Sequence, residues 1–204
     1  MDKLPFFFSE REFGRMTAEL HEQRRILITG ELGTDSLKKA SIELVKLDLE
    51  GSGPITILLE SGGGSVVSAH QFEDIVGAVN SPVDIVTIGD CNSMAVDLIQ
   101  MCRKRMMFPS SRLLLHYVRT RQPWIGDDLE LLDTDIKYFR ERMAEIRERR
   151  FSLYERRTGL SRDKLMEMFR HGEVHEAFLS AKQAVKLRLA DEIITNFKFF
   201  RATS

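Results

Sequence analysis

Four nearly continuous apolar runs constrain this chain more than any other feature. RRILITG (24–30), PITILLE (54–60), VDIVTIG (83–89) and RLLLHYV (112–118) are short and bounded by glycine or proline. Runs of that kind read as strands buried on both faces. The segments between them, 34–49, 66–79 and 92–103, carry helical spacing. Strand–helix alternation implies parallel strands joined by crossover helices, so the fold class is α/β. With 43% hydrophobic and 30% charged residues over 204 positions, the chain supports one domain with a substantial core.

From Asp127 to about Arg157 the period changes. Leu132, Ile136, Phe139, Met143, Ile146 and Leu153 recur at steps of four and three, and only Arg150 breaks the beat. The spacing predicts one long helix with a narrow apolar seam. Such a helix either lies along its own domain or forms an arm buried against another subunit, and its length favours the arm. After Thr158-Gly159, a helix stop, a short helix is expected over 161–169. FLSAKQAVKLRLADEII (178–194) then reads as a helix and a last strand.

Charge narrows the function classes. Thirty basic side chains face thirty-one acidic ones, so no global field favours nucleic acid or an anionic membrane. The arginines of 140–157 alternate with glutamates, as on a solvated helix face. The two cysteines, Cys91 and Cys102, fall in one apolar stretch, which suits reduced thiols rather than a disulfide framework. The aromatic run near the N-terminus gives way at once to charges, unlike a secretory signal, and no stretch is long enough to span a bilayer. The expectation is a soluble cytoplasmic protein.

Three segments carry candidate chemistry. LLESGGGSVVSA (58–69) is a strand entering a glycine-rich turn and then a helix, which presents bare N–H groups to an anion. It lacks the Lys-Ser/Thr pair of a P-loop and the spaced glycines of a dinucleotide fingerprint. VTIGDCNSMAVDL (86–98) repeats the strand–turn–helix plan with Ser93 at the first helical turn. A serine there is either a cap or a nucleophile whose neighbour Met94 offers an oxyanion-binding N–H. His116, at the far end of its strand, is either structural or the general base for such a serine. A fourth stretch, RHGEVHEAF (170–178), places His171 and His175 four apart as a zinc site would, but Gly172 interrupts the helix such a site needs.

SGGGSV, TIGDCNSMA, SRLLLH and FLSAKQAVKLRLADEII, in that order, resemble the proteolytic subunit of the Clp protease from about Arg25 to Thr195. The resemblance implies a crotonase-like fold of stacked strand–strand–helix units with a protruding handle helix over 127–157. It places the nucleophile at Ser93, the general base at His116, and the oxyanion-hole N–H groups at Gly63 and Met94. It divides the chain into an N-terminal segment 1–24, axial or partly ordered, a peptidase domain 25–196 and a tail 197–204. It also implies stacked heptameric rings, an AAA+ unfoldase partner, unfolded polypeptide substrates and no metal or other cofactor. Segment 118–128, with Trp124, would bind substrate as an added strand or be a surface loop.

The departures are specific. Gly62 replaces a proline of the turn, Asp90, Cys91 and Asn92 replace small residues before Ser93, and Asp97 puts an acid one turn beyond it. The family's triad aspartate maps to Gly172 counted back from Phe178 and to Met168 counted forward from Thr158-Gly159, so four residues are inserted and neither position is acidic. Glu173 is the first candidate to orient His116, Glu176 the second, Glu167 also lies near, and a dyad or an inactive site is the remaining case. Three functions are therefore weighed: a serine endopeptidase core, a weakly active or inactive subunit of a mixed ring, and a crotonase-type acyl-CoA enzyme. The first accounts for Ser93 and His116 together.

Overall fold

A computed structural model describes residues 10–117, 132–169 and 176–197. The expected strands appear as β1 (Arg25–Leu32), β2 (Ile55–Gly64), β3 (Val83–Asn92) and β5 (Arg112–His116), with a short β4 (Arg105–Met107) between the last two. Helices α2 (Thr34–Glu50), α3 (Val66–Ala78) and α4 (Met94–Met101) form the crossovers, and α1 (Glu10–Glu22) precedes them. The long helix α5 (Leu132–Thr158) is followed by α6 (Arg162–Phe169), β6 (Glu176–Ser180), α7 (Ala181–Lys186) and β7 (Glu192–Ile193).

Strands β1-β2-β3-β4-β7 run parallel in that order, and β3 forks. Its middle, Ile85 to Thr87, pairs with β4, while Asp90 to Asn92 pair with β5. Strand β6 then adds antiparallel to β5. The fork carries the end of β3 away from the main sheet and lays it beside Arg112 to Leu114 of β5, two residues short of His116.

Both faces of the main sheet are covered, which explains why its strands lack polar alternation. Ile57, Leu59 and Ile85 pack with Leu37, Leu44, Phe72 and Leu98 of the crossover helices. Leu58 and Val86 point the other way and are closed over by Leu20 of α1 with Phe108 and Phe197. The charged N-terminal segment thus holds a helix that seals the second face.

Helix α5 is buried only towards its C-terminal end. Ile146, Phe151, Leu153 and Tyr154 are buried in this domain, whereas Tyr138 is exposed. FLSAKQAV reads as the start of a helix, but its first three residues belong to strand β6. Ser180 caps α7 in a box with Gln183, so Phe178 and Leu179 lie outside the helix and pair along β5.

Candidate active site

The turn between β3 and α4 holds Ser93 at φ 55 and ψ −123, a conformation that costs a non-glycine residue energy. Of the described non-glycine residues only Arg24 and Arg188 share a positive φ. The Ser93 side chain makes no capping bond to α4. An ordinary N-cap serine would sit in extended backbone and accept from its own helix. Ser93 does neither, and this separates it from the capping alternative on geometry alone.

The elbow is fixed to the strand that ends in His116. Ser93 N–H donates to the Leu114 carbonyl at 2.8 Å, continuing the Asn92–Leu114 register. Leu113 and Leu115 are buried in the core, and His116 follows half-buried at the strand end. His116 Nδ1 lies 2.6 Å from the Tyr117 carbonyl. A carbonyl only accepts, so Nδ1 carries the proton, and in neutral imidazole Nε2 is left as the acceptor.

Gly63 lies directly against the elbow. A Cβ built on it would stand 2.7 Å from the Asn92 carbonyl oxygen, 2.8 Å from Ser93 Cβ and 3.1 Å from the Met94 nitrogen. With φ +95, the position needs glycine for both conformation and space. The two expected oxyanion donors are therefore close neighbours of Ser93. They differ in state: Gly63 N–H donates to Ser61 Oγ at 3.0 Å, whereas Met94 begins α4, where a helix has no internal acceptor for its N–H.

Of the expected orienting acids, Glu176 stands directly opposite His116 in the β5–β6 register. Residues opposite one another across a strand pair project from the same face. Glu167 lies on α6, where Lys164 donates to it at 2.8 Å. Glu173, Gly172, His171 and His175 lie outside the described residues, as does segment 118–128 with Trp124.

Two oddities of the sequence turn out to be one interaction. Asp97, on α4, and Arg150, the break in the α5 seam, meet at 2.8 Å with only 3% and 7% of their surfaces exposed. Tyr154 donates its hydroxyl to the same carboxylate oxygen at 2.6 Å. Burial and the Asp97 charge hold the Tyr154 phenol well above its ordinary pKa, so it remains a donor. Burial is the largest single influence and disfavours the Arg150 charge, but Asp97 and Tyr154 together raise the guanidinium pKa. Arg150 Nη1 also donates to the His116 carbonyl at 2.6 Å. Sequence reasoning flagged both breaks without joining them, since a 53-residue separation carries no periodic signal.

The substituted residues before Ser93 have separate places. Cys91 is buried and points its Sγ at the Leu59 carbonyl, and Asp90 pairs at the surface with Arg112. Neither bonds to Ser93.

The forked, largely parallel sheet with its strained strand–helix elbow has the crotonase-like fold of the ClpP structure it resembles. The chain belongs to the Clp protease family, whose model, described as Clp protease, matches residues 9–197. It is 27% identical over 183 residues to the ATP-dependent Clp protease proteolytic subunit 1 of Chlamydia muridarum, covering 88% of this chain and 90% of that one. It is 28% identical over 176 residues to the ATP-dependent Clp protease proteolytic subunit of Pleurastrum terricola, covering 84% of each. A point mutant of ClpP1 from Listeria monocytogenes has a similar fold, with a TM-score of 0.75, 24% identity, and 89% and 96% of the two chains covered.

Proposed function

We propose that this chain is the proteolytic core of an ATP-dependent Clp-type serine endopeptidase, cutting unfolded polypeptides to short peptides. The observation that carries the reading is the strained Ser93, which gives up its capping role and sits bonded to the strand that ends in His116. In this reading His116 Nε2 takes the Ser93 hydroxyl proton as Oγ attacks the scissile carbonyl. The acyl-enzyme forms, the leaving amine receives the proton, and water repeats the sequence to release the second product. Met94 N–H and Gly63 N–H stabilise the oxyanion. Gly63 must exchange Ser61 Oγ for it, a switch of one hydrogen bond.

Glu173 remains the first candidate for orienting His116, and Glu176 gains weight from its cross-strand place. The Tyr117 carbonyl already fixes the useful tautomer, so a carboxylate would add stabilisation of imidazolium rather than tautomer choice. Because that acceptor is neutral, a second reading keeps some support: a weakly active subunit within a mixed ring. Stacked rings, the arm role of α5 before Ile146, and an AAA+ unfoldase that feeds substrate belong to the same proposal.

A fluorophosphonate probe on the assembled protein tests it. The expected adduct maps to Ser93, is lost in Ser93→Ala, and accompanies hydrolysis of a fluorogenic peptide. Degradation of an unfolded protein should then require the unfoldase and ATP. Absence of labelling in the assembled oligomer refutes the peptidase reading. Loss of peptide hydrolysis in Glu173→Ala or Glu176→Ala identifies the acid, and full activity in both selects the dyad.

A further inference from the structure

We infer that Arg150 is a positioning residue for the base, acting through the backbone of His116 and anchored by Asp97. Its planar guanidinium spans two acceptors on different elements. Nε meets Asp97 Oδ1 at 2.8 Å on the helix that starts at the nucleophile, and Nη1 meets the His116 carbonyl at 2.6 Å at the end of β5. The plane packs 4.8 Å from the Phe169 ring centroid and 5.7 Å from that of Tyr154, so the fork has little room to turn. Fixing the His116 carbonyl fixes the peptide plane between residues 116 and 117. The next carbonyl along, that of Tyr117, is the one that accepts from His116 Nδ1. Arg150 therefore anchors the peptide directly before the acceptor that orients the imidazole. Asp97, one turn beyond Ser93, ties that setting to the elbow helix.

A purely structural ion pair would be expected to tolerate replacement by apolar residues of similar volume. A fork that sets two angles at once would not, nor would lysine reproduce it. Two variants separate the roles. Arg150→Lys keeps the charge near Asp97 but loses the fork. The combination Arg150→Met, Asp97→Leu and Tyr154→Phe removes the buried charges and the phenol together, and takes from the half-buried His116 carbonyl only its Arg150 donor. For both, kcat and KM are measured on a fluorogenic peptide per fluorophosphonate-titrated site, and the His116 imidazole resonance is followed by NMR across pH.

The expected result is a fall in kcat of about 100-fold with KM within about twofold, the scale for misplacing a catalytic group by about 1 Å. The His116 resonance should move in both variants. Activity near that of the parent together with an unchanged His116 resonance overturns the inference. The activity arm rests on the peptidase reading, whereas the resonance does not. A parent protein without labelling or hydrolysis refutes that reading, and the resonance still decides the role of Arg150. Should the triple variant fail to fold, Arg150→Lys carries the comparison.

Discussion

Three consecutive glycines offer a test in which neighbouring substitutions have different fates. Alanine at Gly62 would meet nothing within 4 Å, alanine at Gly63 would strike the elbow, and alanine at Gly64 would strike the β1 backbone at Leu32. At Gly63 the positive φ alone costs an L-residue about 1–2 kcal/mol. Contacts of 2.7 and 2.8 Å to the Asn92 carbonyl and Ser93 Cβ add an overpacking term of about 1–3 kcal/mol, because neither neighbour is a flexible chain end. Relief requires the turn to retreat from Ser93 by several tenths of an ångström, which on the proposed function also withdraws one oxyanion donor. Loss of such a donor costs about 10²–10³ in kcat. Gly63→Ala should therefore unfold about 2–5 kcal/mol more easily and label at Ser93 at least about 100-fold more slowly, by the sum of these terms. Gly62→Ala should stay near the parent in both. Denaturant titration and timed fluorophosphonate labelling measure the two quantities. If Gly63→Ala labels as fast as Gly62→Ala, the close approach of turn and elbow does not contribute to the site.

Other expectations concern the frame around it. Burial pushes the Cys91 and Cys102 thiols up to about 12. Native protein at pH 8 should resist a thiol reagent that modifies both after unfolding, and fast native reaction would contradict that packing. His21 joins α1 to α2 through Glu43 and Glu50, and the Glu43 hydrogen bond raises its pKa above the usual 6.5. A raised folded pKa gives stability that is complete below the unfolded value and lost as pH rises through the folded one. Amides of α1 should exchange with greater protection at pH 6 than at pH 8, after correction for intrinsic rate. Equal protection would mean that the His21 contacts do not hold the helix.

Much of the frame was legible because burial on both faces leaves a local mark. RRILITG and VDIVTIG could not be amphipathic, and their observed spans extend the expected ones by only a few residues. Strand β4 was missed because Arg105 to Met107 is too short to show a period, and its burial comes from neighbours distant in sequence. Helix α1 was missed because its charged sequence hides the one residue, Leu20, that closes the second core. In the candidate site, Gly63 and His116 were legible as strand-end residues, and Ser93 and Met94 as the turn into a helix. The fork of β3 that lays its end along β5 was not, since register is set by pairing rather than by local pattern. The Asp97–Arg150 pair shows the same limit: each residue reads as a defect alone, and only tertiary contact makes them partners.

The clamp between β4 and β7 has a consequence for how the chain is made. Arg105 is buried, donates to Asp191 through Nε and Nη2 at 3.2 and 2.5 Å, and donates through Nη1 to Gln100 at 2.6 Å. Gln100, on α4, in turn donates to the Leu189 carbonyl at 2.9 Å. Synthesis delivers Ser93 and His116 long before residues 189–191. A nascent chain that already holds both would have to bury Arg105 without its carboxylate, at a cost of several kcal/mol. The contact also closes a loop of 86 residues, the kind of non-local closure that slows folding. The helix that begins at the elbow therefore acquires this anchor only once residues 189–191 have been made, well after Ser93 and His116.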